Sequence, residues 1–172
     1  MIEIIDNFLS EEEFGNVKSL FLGNNLSWYF YPFADYWDEG PQLNQYQFVH
    51  LIYDTNAGMV SDTSQGIHAM FNPKLNVYVN LRTKANLTTW MPDVVHGEYH
   101  TDFESPLTDV AKTAIFYVNS NNGGSMFETR EFVQSVENRC VIFPCHMRHR
   151  SVSSTDSKSR VVINFNYISN EN

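Results

Sequence analysis

The chain has 172 residues, of which 42% are hydrophobic and 15% aromatic, enough for one domain that buries its own core without disulfide staples. Its 20 acidic residues outnumber its 11 basic residues, giving a net charge of −9, and this balance disfavours a nucleic-acid partner, which needs a basic surface. No stretch reaches the roughly 18 apolar residues of a membrane span, and the first residues do not resemble a signal peptide, so we expect no membrane partner.

The N-terminal half predicts short strands and two helices. The strand-like segments are residues 2–5, 28–33 and 46–53. The first helix opens with a capping box at Ser10 and Glu13 and ends at about Leu22, before Gly23. The second helix covers residues 63–71 and is expected to end at Asn72-Pro73. The polar and aromatic loop at 35–44 carries no recognisable motif, although residues 28–37 are a candidate lid or substrate wall.

From residue 75 onward the pattern is strand after strand, separated by clusters of Asn, Gly, Ser and Asp. Two early helices before a late β region predict helices packed on one face of a β-sandwich or jelly roll. No repeat or linker divides the chain. We therefore expect a single domain over residues 1–172, with 1–74 as N-terminal strand and helix support and 75–168 as the jelly-roll core.

The last predicted strand, residues 160–167, has two different faces. Arg160, Val162, Asn164 and Asn166 alternate with four apolar residues. Its polar side either faces water or lines an interior pocket, and the strand at 113–119 has the same mixed character. A reactive metal site would need the interior arrangement, which is therefore preferred.

His100, Asp102 and His149 form a candidate metal site. In a strand, residues two apart project from the same face, so His100 and Asp102 can hold one ion together. Two imidazoles and one carboxylate are the facial triad of non-haem Fe(II) oxygenases, which leaves three coordination positions open. Arg160 follows His149 by eleven residues and supplies a fixed positive charge.

Four segments around these residues carry a family resemblance. They are residues 113–119, Gly123-Gly124-Ser125-Met126-Phe127, residues 138–144 and residues 160–167. Together with the H-x-D motif, they resemble the prolyl-4-hydroxylase-like branch of the 2-oxoglutarate/Fe(II)-dependent oxygenases, in the short form found in bacteria and viruses. The resemblance spans about residues 75–168. It implies a mainly β double-stranded β-helix (a cupin-like jelly roll) with N-terminal helices packed on one sheet.

The resemblance also implies an activity. Such an enzyme uses Fe(II), 2-oxoglutarate and O2 to hydroxylate a C–H bond, releases succinate and CO2, and is supported by ascorbate as reductant. Related halogenases replace the metal carboxylate with a small residue, so the presence of Asp102 favours hydroxylation. A small molecule or a peptide, including a protein prolyl residue, fits as the substrate. The sequence does not reveal which, and it does not reveal the oligomeric state.

The resemblance gives three residues a role with the cosubstrate. Arg160 occupies the position that binds the distal carboxylate of 2-oxoglutarate, for which a planar, permanently charged guanidinium is suited. Tyr117 occupies a position whose phenol helps hold the same carboxylate, and a buried structural tyrosine is the competing interpretation. Asn86 lies where a cosubstrate-facing residue is often found.

Two histidines compete for the third metal position. The family places this ligand five residues after a proline, which selects His149 after Pro144 and leaves His146 as a turn residue. The remaining histidines have no matched role; these are His50, His68 and His96. The two cysteines, Cys140 and Cys145, are interpreted as reduced thiols, and we expect a cytoplasmic protein.

Three other functions remain open. The first is a non-catalytic cupin-like protein, which has the same barrel and binds a metal or a 2-oxo acid but catalyses no reaction. A nucleic-acid demethylase typically carries a second arginine in the last strand, and residues 161–167 contain none. A zinc hydrolase would need a general base, for which Glu98 is the candidate.

Overall fold

The structure, a computed structural model, describes residues 1–32, 46–102, 107 and 109–170. The predicted loop at 35–44, and the part of the candidate lid beyond residue 32, lie outside the described residues. No helix in the described ranges is long and apolar enough to cross a membrane. The elements are, in chain order, β1 (Glu3–Ile5), α1 (Glu11–Leu22), β2 (Tyr29–Tyr31), β3 (Gln47–Asp54), β4 (Gly58–Met59), α2 (Ser64–Leu75), β5 (Val77–Thr89), β6 (Lys112–Tyr117), β7 (Gly124–Phe127), β8 (Phe132–Gln134), β9 (Arg139–Pro144), β10 (His149–Val152) and β11 (Ser159–Ser169).

The strands form two antiparallel sheets. The larger has the order β1-β9-β6-β11-β5-β3-β2, with β4 paired to β3, and the smaller has the order β10-β7-β8. The smaller sheet is extended by residues 95–100, which run beside β10 through bridges at His96 and His100. This arrangement confirms the predicted jelly roll. The N-terminal strands belong to its larger sheet, since β1 pairs with β9 and β3 pairs with β5.

Both helices lie on the outer face of the larger sheet. The predicted capping box is present: the Glu13 amide donates to the Ser10 hydroxyl, and the Ser10 amide donates to the Glu13 carboxylate. The helices contribute Val17, Phe21 and Phe71, among others, to one apolar cluster with strand residues. In that cluster the Phe71 ring stacks on Phe165 at a centroid distance of 4.6 Å. Burial of these rings fixes the helices against the sheet.

The predicted end of the second helix is wrong. Helix α2 runs through Pro73 and ends at Leu75 instead of stopping at Asn72-Pro73. Phe71 and Leu75 lie one helical turn apart and both are buried in the core, so packing outweighs the hydrogen bond that Pro73 cannot donate. Asn76 then ends the helix in the left-handed conformation, and its amide donates to the carbonyl of Asn72.

The prediction that β11 separates two environments is confirmed. Val161, Ile163, Phe165 and Tyr167 lie in the apolar cluster beneath the helices. The opposite face looks into the space between the sheets, where β6, β9 and β11 meet Phe127 and Val133 of the smaller sheet. Arg160, Val162 and Asn164 project into this interior and line a cavity.

Candidate functional site

The three predicted metal ligands converge beside β10. His149 is the first residue of β10, and the amide of each of His100 and His149 donates to the carbonyl of the other, at 2.9 and 3.0 Å. Asp102 lies two residues beyond this bridge, in a bend and not in a regular strand. The two-residue spacing therefore brings His100 and Asp102 together, as predicted, although the chain leaves the sheet between them.

The ligand atoms lie close enough to share one ion. His100 Nε2 is 3.7 Å from Asp102 Oδ1, and His149 Nε2 is 3.6 Å from Asp102 Oδ2. One ligand atom from each of the three residues lies within 4.8 Å of the other two. Atoms bound at about 2.1 Å to a common ion are separated by roughly 3.0–4.2 Å, which the two measured distances match. The donor set fits a divalent metal with open positions.

The backbone orients both imidazoles. Nδ1 of His100 is 2.9 Å from the Glu98 carbonyl, and Nδ1 of His149 is 3.3 Å from the Met147 carbonyl. A carbonyl only accepts hydrogen bonds, so each Nδ1 carries a hydrogen and each Nε2 is the ring atom directed toward Asp102. This orientation leaves Nε2 to bind a metal once any hydrogen on it is released.

Asp102 is held by the larger sheet. The Arg82 guanidinium on β5 donates to the Asp102 carbonyl and lies 4.0 Å from its carboxylate, and Asn164 Nδ2 on β11 is 3.4 Å from Oδ2. Burial raises the pKa of the Asp102 carboxyl, but the positive charge of His149 and hydrogen bonds from both histidines outweigh it and hold the pKa well below its usual range. The carboxylate is therefore ionised and available as a ligand.

These residues open into a cavity of about 510 Å³, a volume that includes its solvent-open mouth. His100, Asp102 and His149 lie on its wall together with Arg160, which places the metal-binding pattern and the predicted cosubstrate arginine in one space. Of the described lining residues only Ile115 and Val162 are aliphatic. The cavity therefore suits a polar ligand.

Arg160 is buried, with 5% of its surface exposed. Its Nε donates to the Ser135 hydroxyl at 3.1 Å, and its Nη2 donates to the Gly124 carbonyl at 3.0 Å. Nη2 also lies 3.5 Å from the Ser125 hydroxyl, and the guanidinium sits 5.7 Å from the Tyr117 ring centre. These contacts fix a buried cation at the wall of the cavity.

Tyr117 and Asn86 occupy different positions relative to the cavity. Tyr117 is fully buried, lies behind the lining residues, and donates to the Ser125 hydroxyl at 2.9 Å. Burial raises the pKa of the Tyr117 phenol, an effect that the nearby Arg160 charge opposes. Asn86 lines the cavity opposite Val162 in the β5–β11 ladder, and its buried Oδ1 has no partner among the described residues.

The other titratable residues singled out in the sequence lie away from the ligand set. His146 is exposed in the turn between β9 and β10, whereas His149 is 3% exposed. His50 contacts the Ser27 carbonyl and the Ser61 hydroxyl, and His68 contacts Thr83. The Glu98 side chain is exposed and is not among the described lining residues of the cavity.

Sequence reasoning missed several residues of the site. Ser125 and Lys84 line the cavity, and Arg82 anchors the backbone of Asp102. Lys84 stands opposite Asn164 in the β5–β11 ladder, and Asn164 itself was predicted from the polar face of β11. Ser125 lies in the motif that carried the family resemblance, but its contacts with Tyr117 and Arg160 depend on strand pairing across the barrel.

No protein-family model and no curated protein matches this sequence. Solved structures do match the fold. An oxidoreductase of the 2OG-Fe(II) oxygenase family from Burkholderia pseudomallei is 11% identical, with a TM-score of 0.67 over 97% of this chain and 84% of that one. HygX from Streptomyces hygroscopicus, solved with nickel and 2-oxoglutarate bound, is 10% identical, with a TM-score of 0.62 over 99% and 83%. A prolyl-4-hydroxylase from Pseudomonas putida is 9% identical, with a TM-score of 0.59 over 98% and 92%. The chain thus has the fold of the 2-oxoglutarate/Fe(II)-dependent oxygenases.

Proposed function

We propose that this protein is a 2-oxoglutarate- and Fe(II)-dependent dioxygenase of the prolyl-4-hydroxylase-like branch that hydroxylates a C–H bond. The observation that carries the proposal is the presence of His100, Asp102 and His149 in the same cavity as the buried Arg160. A binding site for a metal and a binding site for a carboxylate are the two requirements for holding a 2-oxo acid at both ends.

In this proposal His100, Asp102 and His149 bind the metal through two Nε2 atoms and one carboxylate. When bound, Fe(II) supplies the redox chemistry that lets O2 react with a 2-oxo acid at the coordination positions left open. Arg160 binds the distal carboxylate of 2-oxoglutarate, and Tyr117 supports that end. Asn86 faces the cosubstrate from β5, where its side-chain NH2 can donate a hydrogen bond to a cosubstrate oxygen.

The proposed reaction is balanced in atoms and electrons. The substrate R–H, O2 and 2-oxoglutarate give R–OH, succinate and CO2, so one oxygen atom enters R–OH and the other enters succinate. Oxidation of R–H and oxidative loss of CO2 from the 2-oxo acid each provide two electrons, which together reduce O2. Ascorbate is not consumed in this balance, and we expect it only to return oxidised iron to Fe(II).

The substrate is a small molecule or a peptide. Proteins with this fold include HygX, solved with hygromycin B, and a Trichoplax adhaerens prolyl hydroxylase, solved with a peptide fragment. The net charge of −9 makes nucleic acid a poor candidate. We further propose that the whole chain works as one domain, and that it acts in the cytoplasm, where the buried thiols of Cys140 and Cys145 stay reduced.

The test is succinate formation from 2-oxoglutarate by the purified protein loaded with Fe(II), measured with and without O2. Slow uncoupled turnover does not require the primary substrate to be known. His149→Ala should abolish it, because two ligands hold the metal poorly. His146→Ala is the matched control: it removes an exposed imidazole three residues away and should leave the rate unchanged. A protein that binds iron and 2-oxoglutarate yet forms no succinate would be a binding protein and would contradict the proposal.

A further inference from the structure

We propose that Ser125 donates its hydroxyl hydrogen to the distal carboxylate of the 2-oxo acid, and that Tyr117 acts on this carboxylate through Ser125 and not directly. The inference rests on the proposed function. It adds one specificity-determining residue to the cavity and changes the role that the family resemblance gives to Tyr117.

Ser125 stands between Tyr117 and the cavity. It lies on β7, is 2% exposed, and lines the cavity wall, whereas Tyr117 is fully buried behind that wall. Across the ladder Ser125 faces Val133 on one side and Ser151 on the other. The serine hydroxyl is therefore the group that a cavity ligand meets first.

The hydrogen bonds around Ser125 have a defined direction. Tyr117 has one hydroxyl hydrogen, and Ser125 Oγ at 2.9 Å is its nearer acceptor, since the Val133 carbonyl is 3.4 Å away. Burial raises the pKa of the Tyr117 phenol, so the phenol keeps this hydrogen. Arg160 can only donate, and its Nη2 lies 3.5 Å from the same oxygen. Both lone pairs of Ser125 thus face donors.

A hydroxyl whose lone pairs face two donors must give its own hydrogen to a third group. In the described part of the chain the Ser125 hydroxyl donates to no acceptor, although it is buried. Leaving a buried donor without an acceptor costs free energy, so the site is completed by a ligand that accepts the hydrogen bond from Ser125. Because the acceptor must also lie beside the Arg160 guanidinium, a carboxylate oxygen fits better than a neutral group.

This geometry predicts how the protein recognises the distal carboxylate of the ligand. Arg160 supplies the charge, and Ser125 supplies a short, directed donor that is polarised by the O–H of Tyr117 behind it. A 2-oxo acid that lacks the distal carboxylate gains nothing from either residue. Removal of the serine should therefore weaken selection for 2-oxoglutarate without affecting the metal end.

The experiment compares wild type, Ser125→Ala, Tyr117→Phe and the double variant, each loaded with Fe(II) under anaerobic conditions. The equilibrium affinity is measured for 2-oxoglutarate and for 2-oxopentanoate, which has the same chain length and no distal carboxylate. Thermal unfolding of each protein establishes that it is folded.

Ser125→Ala should bind 2-oxoglutarate about ten- to a hundred-fold more weakly, the range for a lost hydrogen bond to a charged group, and should bind 2-oxopentanoate as the wild type does. Tyr117→Phe should lose less, and should cause no further loss when Ser125 is already alanine.

Unchanged 2-oxoglutarate affinity in Ser125→Ala would overturn the inference. So would a Tyr117→Phe loss that persists in full in the alanine background, because the phenol would then contact the ligand itself. Equal losses for both 2-oxo acids would also overturn it, since the serine would then serve the metal end. If wild-type protein binds neither 2-oxo acid, the proposed function itself fails.

Discussion

Replacing Arg160 with alanine tests the cosubstrate end of the cavity. The guanidinium is 5% exposed and is held by the Ser135 hydroxyl and the Gly124 carbonyl, so it is ordered before any ligand arrives. A carboxylate that binds beside it loses its water. Without the arginine, that carboxylate would be buried without the cation beside it.

The expected loss follows from this burial. Removing one partner of a buried, hydrogen-bonded charge pair costs about 2–5 kcal/mol, which corresponds to a loss in affinity of about 30- to 5000-fold. A remaining hydroxyl donor at Ser125 would keep the loss toward the lower end. Affinity for iron should persist, because Arg160 is not one of the grouped ligand residues.

The assay is an anaerobic titration of the Fe(II)-loaded variant with 2-oxoglutarate, in which calorimetry or ligand-observed NMR measures the binding. Arg130→Ala is the matched control, since it removes an exposed arginine from the surface. It should change neither the affinity for iron nor the affinity for 2-oxoglutarate. An Arg160→Ala protein that is folded, binds iron and retains wild-type affinity for 2-oxoglutarate would refute the assignment of this arginine.

Three further changes test other parts of the structure. Phe71→Ala should lower the free energy of unfolding by about 3–5 kcal/mol in denaturant titration, because a fully buried ring would leave a cavity in the core; a loss below about 1 kcal/mol would contradict the packing. The hydrogen bonds from Arg139 lower the pKa of Asp6, so this pair stabilises the fold above the ordinary pKa of an aspartate and ceases to do so as pH falls through the lowered value. Because the Asp6 side chain is 55% exposed, Asp6→Asn should cost under about 1 kcal/mol at neutral pH and nothing in strong acid, and an equal cost at both would refute this. Arg82→Met should weaken iron binding by about ten- to a hundred-fold in a metal competition assay, because Arg82 holds the carbonyl of Asp102, and undiminished affinity would rule out that role.

The fold was predictable from the sequence because its signals are local. The alternation along β11 separates a polar face from an apolar face, and the structure puts the first toward the cavity and the second beneath the helices. The end of α2 was not predictable in this way. Pro73 is a local stop signal, and the burial of Phe71 and Leu75, which outweighs it, depends on contacts with distant strands.

The residues of the candidate site also fall into two groups, those that the sequence predicted and those that depend on contacts between distant strands. His100 and Asp102 are two residues apart, so their proximity follows from chain geometry, and the resemblance identified His149 and Arg160. The positions of Arg82 and Ser125 follow only from strand pairing: Arg82 reaches Asp102 from β5, and Ser125 lies between Tyr117 and the cavity. A sequence pattern gives the residue type at each position, but it does not tell which side chain lies nearer the cavity.

The most direct test is a crystal structure grown without oxygen, with Fe(II) and N-oxalylglycine, an unreactive analogue of 2-oxoglutarate, and with anomalous diffraction at the iron edge to locate the metal. We expect one iron peak between Nε2 of His100, Nε2 of His149 and the carboxylate of Asp102. The analogue should chelate that iron and extend its distal carboxylate to Arg160. An iron peak bound by His146 or by surface carboxylates, or an analogue whose distal carboxylate lies away from Arg160, would contradict the proposed site.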